Sequence, residues 1–139
     1  MFKHNLVNPP RRSQRRHGVA AVEFAVCLPI IILLVFGSIE ASSFIFLKQS
    51  LSVAAYEGAR EAIRNGSSRD DARARATAIL DARQVQGFQI EFPGPDPSIA
   101  RRGEEIVVQV TAGSAANSPL AGQFVANRLL SSRVVMVKE

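Results

Sequence analysis

Residues 15–39 read RRHGVAAVEFAVCLPIIILLVFGSI, and this stretch decides how the whole chain is organised. It carries no charged residue from Phe24 to Ile39. The apolar character reaches back to Val19, with Glu23 as the one carboxylate inside it. A helix needs about 20 mostly apolar residues to cross the hydrocarbon core of a bilayer. The stretch has that length, so the sequence predicts one transmembrane helix.

Apolar residues resume beyond this stretch, at FIFL over residues 44–47. We therefore place the transmembrane helix at residues 19–47, with a leader at residues 1–18 before it and an outer domain at residues 48–139 after it. An ordinary secretory signal, cleaved near Ala41, would end sooner than this apolar run does. The lipid bilayer is thus the first expected partner.

Charge is distributed unevenly between the leader and the rest of the chain. The leader holds five of the 17 basic residues and none of the 12 acidic ones, so the remainder carries no net formal charge. By the positive-inside rule the N-terminus stays in the cytoplasm and the outer domain lies across the membrane. The expected location is the bacterial inner membrane, in a single pass. Because the basic excess belongs to the leader and Trp is absent, we expect no nucleic-acid partner.

Glu23 is the residue of the apolar stretch that most needs an explanation. A charge near the membrane centre costs about 2.5–3.5 kcal/mol on insertion scales, so an acid there is expected to have a partner. Glu23 could instead lie shallow, among the lipid headgroups and near Arg16. Its position in the sequence leaves both interpretations open.

The residues around Glu23 resemble a known processing signal. The segment RRHG-VAAVEF, residues 15–24, resembles the class III signal peptide of type IV pilins and pseudopilins. The resemblance implies that a prepilin peptidase cuts between Gly18 and Val19. It also implies that Glu23 takes the position of the pilin glutamate and Phe24 the aromatic position after it. Cleavage would leave an ammonium group on Val19, one helical turn from Glu23, and the two could pair within one chain or between neighbours.

A second stretch, FLKQSLSVAAYEGAREAIRNG at residues 46–66, extends the resemblance. Residues 15–66 together resemble TadE-like proteins, the minor pseudopilins of tight-adherence (Flp, type IVc) pilus systems. Major Flp pilins usually have tyrosine where this chain has Phe24 and are much shorter after the helix, which favours a minor component. The resemblance implies a role in pilus assembly, for adhesion or secretion. The implied partners are the prepilin peptidase, other pilins or pseudopilins bound through the N-terminal helix, and an inner-membrane assembly platform.

The outer domain begins with helical patterns and ends with strand patterns. Small and apolar residues recur at helical spacing over residues 51–63, and we expect this face to pack on its own domain, with a seam between subunits as the alternative. Ser68-Arg69-Asp70-Asp71 predicts a capping box for a second helix. Period-two alternation predicts strands near residues 88–92, 106–110 and 134–137, and residues 120–130 predict a short helix with Phe124 inward. The fold class is α+β, a long hydrophobic helix followed by helices and about three antiparallel strands.

Residues that carry catalysis or bind metals are scarce in this sequence. His4 and His17 both lie in the leader, and Cys27, the one cysteine, lies in the apolar stretch, where a thiol is usually inert. Phosphate-binding glycine loops and nucleophile elbows are missing from the sequence as well. We therefore expect no enzyme, no catalytic residue, no metal and no cofactor.

Two other functions remain open. The chain could be an envelope protein with an uncleaved signal anchor that binds a ligand or partner through its outer domain, or it could be a secreted soluble domain. The mature mass separates the three: loss of residues 1–18 indicates a pseudopilin, full length a signal anchor, and loss up to about Ala41 a secreted domain.

Overall fold

The computed structural model describes residues 14–120 and 126–139, with side chains from residue 18 onward. Its elements along the chain are helix α1 (Gln14–Ala62), helix α2 (Arg69–Ala82), strand β1 (Phe88–Glu91), strand β2 (Glu105–Gly113), a 3₁₀ helix (Ala115–Asn117) and strand β3 (Leu129–Val137). A long N-terminal apolar helix, a second helix and three antiparallel strands make an α+β fold, which confirms the predicted class. Contacts define two units, Met1–Gly37 and Ser38–Glu139, and we call the second the C-terminal unit.

The sheet of the C-terminal unit has β2 at its centre, in the order β1-β2-β3 with both pairings antiparallel. Alternate residues of β2 form the core, and Ile106, Val108 and Val110 are fully buried. In register they pair with residues of β3 such as Ser132, opposite Val110. The alternation that predicted the strand therefore marks the face of the sheet that packs into the core.

The third strand starts earlier than the sequence predicted, and this corrects the predicted helix over residues 120–130. Leu129 and Leu130 belong to β3, and residues 126–128 are not helical. Leu130 pairs with Ala112 of β2 and packs against the core, so tertiary pairing overrides a local preference for helix. Residues 121–125, and with them the predicted inward Phe124, lie outside the described residues.

The predicted capping box begins α2. The Asp71 backbone N–H donates to Ser68 Oγ at 3.2 Å, and the Ser68 N–H donates to Asp71 Oδ2 at 2.9 Å. Hydrogen bonds from the side chain and then the backbone of Ser68 hold the pKa of Asp71 below its ordinary value. Because the pKa of Asp71 is lower in the folded than in the unfolded chain, ionised Asp71 stabilises the fold at any pH above its unfolded pKa. This stabilisation is lost as the pH falls through the pKa of Asp71 in the folded chain.

The small-residue face of α1 packs on its own unit, as expected. Ala54, Ala55 and Ala59 are fully buried there. A Cβ atom on Gly58 would lie 3.2 Å from the Ala76 Cβ and 3.3 Å from the Ala72 carbonyl oxygen, both on α2. The two helices can therefore approach closely at Gly58 because this residue has no side chain.

Replacing Gly58 with leucine should destabilise the C-terminal unit by about 2–3 kcal/mol, because a larger side chain must displace the backbone of α2. Urea unfolding of the full chain in detergent, followed by circular dichroism, measures the change. The matched control is Gln49→Leu on the exposed side of α1, with an expected effect within about 0.5 kcal/mol. Equal stability of the two variants would contradict the close approach of α1 and α2.

A buried lysine near the C-terminus closes the end of α1. Lys138 is 6% exposed, and its Nζ donates to the carbonyl oxygens of Ala62 at 3.0 Å and Arg64 at 2.7 Å. The last carbonyls of a helix lack intrahelical donors and carry the negative end of the helix dipole. Lys138, which directly follows β3, therefore supplies hydrogen-bond donors to carbonyl groups at the C-terminal end of α1.

Replacing Lys138 with methionine, which keeps most of the length but has no donor, should cost about 1.5–3 kcal/mol of unfolding free energy. The same urea experiment measures it. Arg102→Met, in the exposed connection between β1 and β2, removes one charge without a hydrogen bond to a helix end and serves as the control. If both variants unfold at the same urea concentration as the unaltered chain, Lys138 is not a helix cap.

Candidate functional site

The predicted cleavage site lies inside helix α1 in the uncut chain. The helix begins at Gln14, so the Gly18–Val19 peptide bond has helical backbone on both sides. The sequence placed the start of the membrane helix at Val19, whereas leader residues 14–18 are already helical. An enzyme that binds its substrate in an extended form would first have to unwind this turn. Glycine, a poor helix former, makes that unwinding less costly.

Gly18 has no structural reason to be a glycine. Nothing lies within 4 Å of the position that a Cβ atom would occupy, and its φ is not in the left-handed region. A glycine inside a helix costs roughly 0.5–1 kcal/mol relative to alanine. The fold would therefore accept a larger side chain here and would gain stability from alanine.

The side chains that follow Gly18 are exposed. Val19 is 59% exposed and Phe24 60%, and Glu23 is exposed as well. Val19 and Glu23 are neighbours at i,i+4 spacing, whereas Phe24 points about 100° further around the helix. Among side chains from residue 18 onward in the described part of the chain, none pairs with Glu23.

Glu23 lies too far along the uncut helix to gain from the helix dipole. The first turn of α1 begins at Gln14 and contains no acid. In a chain that starts at Val19, Glu23 lies one turn from the helix start, where the positive end of the dipole and a free amine both favour a carboxylate. The predicted pairing of Glu23 with a free amine at the start of the helix therefore requires cleavage between Gly18 and Val19.

The apolar part of α1 is a candidate membrane anchor. From Gly18 to Ala62 the helix is long and apolar enough to cross a bilayer, and none of its most apolar window is buried against the rest of the chain. A core helix of a soluble protein would have its apolar face covered. Pro29 lies inside the helix without ending it.

The second carboxylate of this region, Glu40, is held quite differently from Glu23. It is 5% exposed, and its Oε2 accepts a hydrogen bond from Ser118 Oγ at 2.6 Å. Its Oε1 is buried and has no hydrogen-bond partner. Glu40 thus ties the first turn of the C-terminal unit to the segment after the 3₁₀ helix. Sequence reasoning missed this contact, because no local pattern relates residues 78 positions apart.

Two other carboxylates of the C-terminal unit, Glu61 and Asp96, accept hydrogen bonds from nearby residues at the surface. A hydrogen bond from Arg64 lowers the pKa of Glu61, and hydrogen bonds from the backbone and side chain of Ser98 lower that of Asp96. A general acid at neutral pH needs a raised pKa, so both shifts run the wrong way for that role. Among the described side chains, residues 18–120 and 126–139, no group of three or more His, Cys, Asp or Glu could hold a metal ion.

Comparison with known proteins gives one match. The family model of TadE-like proteins matches residues 18–60, just under a third of the chain, and the match starts at Gly18. No curated protein and no solved structure gives a significant match. The resemblance seen in the sequence is confirmed: the chain carries a TadE-like domain over residues 18–60, consistent with a TadE-like protein of the tight-adherence pilus system.

Proposed function

We propose that the chain is a minor pseudopilin, which a prepilin peptidase processes between Gly18 and Val19 and which then takes part in assembling a tight-adherence pilus for adhesion or secretion. The TadE-like match supports the association with this pilus system. One observation carries the finer proposal: Glu23 stands exposed and without a described partner in an apolar helix, one turn past the proposed cut. A carboxylate in that position needs a cation.

The new amine on Val19 is the cation best placed to serve Glu23. Cleavage removes the helical turn before Val19 and leaves an ammonium group at the start of the helix, at i,i+4 spacing from the carboxylate. When helices bundle in lipid, the amine of one chain and Glu23 of a neighbour can pair in the same way. Sliding one helix along the other would leave both charges unpaired in hydrocarbon, so the pair sets the register of packed subunits.

The proposed topology follows from the charges that flank α1. The leader, residues 1–18, stays in the cytoplasm with the active site of the peptidase, and the C-terminal unit lies on the other side of the bacterial inner membrane. Other pilins or pseudopilins pack against the N-terminal helix, and an inner-membrane platform drives assembly. The chain itself catalyses no reaction in this proposal. Its role is to pack against other subunits and to pair Glu23 with an amine.

The intact mass of the protein, purified from membranes of the producing cells, tests the processing step. Loss of residues 1–18 is expected, with Val19 as the new N-terminus. A full-length chain would instead identify a signal-anchored envelope protein that binds partners through its C-terminal unit. Loss up to about Ala41 would identify a secreted domain, and either result would overturn the proposal.

A further inference from the structure

The chain enters the C-terminal unit at Ser38, and the residues around this entry form one end of the unit. Connecting segments after α2 and after the 3₁₀ helix line a cavity together with Ser43, Phe46 and Leu47 of α1. Ser118 donates to Glu40, the backbone N–H of Gln86 donates to Asn117 Oδ1 at 2.7 Å, and that of Ser114 donates to the Arg128 carbonyl oxygen at 2.9 Å. We call this end the basal end; it comprises residues 38–48, 81–87, 113–120 and 126–129.

Acidic residues are unevenly distributed over the C-terminal unit. The basal end carries Lys48, Arg83 and Arg128, against Asp81 as its exposed acid, since Glu40 is buried. Every other acid of the unit lies away from the basal end: in the second half of α1, the first turn of α2, the end of β1 and the connection after it, the start of β2, and the C-terminus. A surface with few acids and several cations is suited to an anionic partner.

The basal end also exposes apolar side chains beside its cations. Phe46 is 51% exposed and Leu129 75% exposed. Phe46 lines a cavity of about 390 Å³ together with Arg83 and Pro119. Of the guanidinium nitrogens of Arg83, only Nη1 has a hydrogen bond among the described residues, a long one of 3.4 Å to Ser50 Oγ. Most donors of this arginine are therefore free to bind an anion that enters the cavity.

The lower part of this cavity overlaps in height with the headgroup layer of a bilayer. The sequence extended the membrane helix to residue 47, but Glu40 and Leu47 are buried in the C-terminal unit, so we take the membrane-crossing part of α1 to end at Ile39. The α1 lining of the cavity, from Ser43 to Leu47, is about 6–12 Å beyond Ile39 at the rise of an α-helix. The headgroup region of each leaflet extends about 5–8 Å beyond the hydrocarbon core. With α1 inserted in the membrane as proposed, lipid phosphates are the anions outside the chain that lie nearest to Arg83 and Arg128.

We propose that the basal end docks on the phospholipid surface from which α1 emerges, with Arg83 and Arg128 binding headgroup phosphates and with Phe46 and Leu129 entering the interface. This rests on the membrane anchoring in the proposed function, but not on cleavage at Gly18.

Fluorescence quenching of the full chain in vesicles tests the docking. Cys27→Ser removes the native thiol, and a bimane label on Ala126→Cys, an exposed position, reports from the basal end, with Ile99→Cys as a reporter at the far end. A headgroup nitroxide lipid is the quencher. The label at position 126 should be quenched more in phosphatidylcholine with about 30% phosphatidylglycerol than in phosphatidylcholine alone, because basic residues near an anionic surface each add about fivefold to binding.

Matched double variants separate the basal cations from the net charge of the chain. Arg83→Gln with Arg128→Gln should lower the ratio of docked to undocked molecules about 30-fold, whereas Arg101→Gln with Arg102→Gln should leave it unchanged. Equal quenching in both lipid mixtures, or equal loss in both double variants, overturns the docking and leaves a protein partner for the basal end. Flotation of the same vesicles reports insertion: a chain that fails to float refutes the anchor and the proposed function, whereas one that floats without lipid-dependent quenching refutes docking alone.

Discussion

Replacing Glu23 with alanine should lower assembly into pilus complexes by a factor on the order of 100, without lowering insertion into the membrane. The factor corresponds to the roughly 2.5–3.5 kcal/mol that an unpaired charge costs in the membrane, here the amine of Val19 after its counter-ion is lost. Insertion should not suffer, because alanine removes the one acid from the apolar stretch. Quantitative immunoblotting of sheared pili and of membranes from cells carrying the variant measures both quantities.

Two further variants show whether charge or packing at this position matters. Val22→Ala trims a side chain that is 65% exposed on the same helix, and it should assemble nearly as well as the unaltered chain. Glu23→Asp keeps the carboxylate one methylene shorter and should recover part of the assembly. If Glu23→Ala assembles normally, or if Glu23→Asp is as defective as alanine, the carboxylate is not the register-setting group.

Replacing Gly18 with isoleucine should block removal of the leader almost completely. The structure offers room for the new side chain and nothing for it to disturb, so the fold and membrane insertion should be unchanged. A β-branched residue beside the cut, however, obstructs the close approach of an extended substrate to a peptidase. The intact mass of the variant from cell membranes should correspond to all of residues 1–139.

The control for this variant places the same bulk beyond the cut. Ala21→Ile lies in the exposed part of α1 and should be processed like the unaltered chain. Circular dichroism of both variants in detergent should agree, which excludes misfolding as the cause of a processing defect. Normal removal of the leader from Gly18→Ile would mean that the peptidase does not recognise the glycine, and the class III assignment would fail.

Sequence patterns predicted the elements whose information is local. The apolar run defined α1 as a membrane-length helix, and the Ser68–Asp71 spacing located the capping box at the start of α2. Alternation in residues 106–110 marked the central strand and its buried face. In each case neighbouring residues in the sequence carry the physical cause, which is the hydrophobicity of the run, the helix cap or the pleat of the strand.

The contacts that the sequence did not predict join residues far apart in the chain. Leu130 has a local preference for helix but pairs with Ala112 of β2, and Lys138 caps a helix that ends at Ala62. The bond between Glu40 and Ser118 likewise needs the folded unit to bring its partners together. At the candidate site, the roles of Gly18, Val19, Glu23 and Phe24 stay predictions, and the sequence did not foresee that helix runs through the predicted cut.

The distance between the Val19 nitrogen and the Glu23 side-chain carboxyl carbon in assembled material tests the central claim most directly. Solid-state NMR of pili or pilus complexes containing ¹⁵N-valine and ¹³C-glutamate chains, with dipolar recoupling between the two labels, measures it. We predict a contact of about 4 Å, the length of a direct ion pair, either within one chain or between neighbours. Assembled material with no such contact, or with the leader still covering Val19, would contradict the pairing of amine and carboxylate.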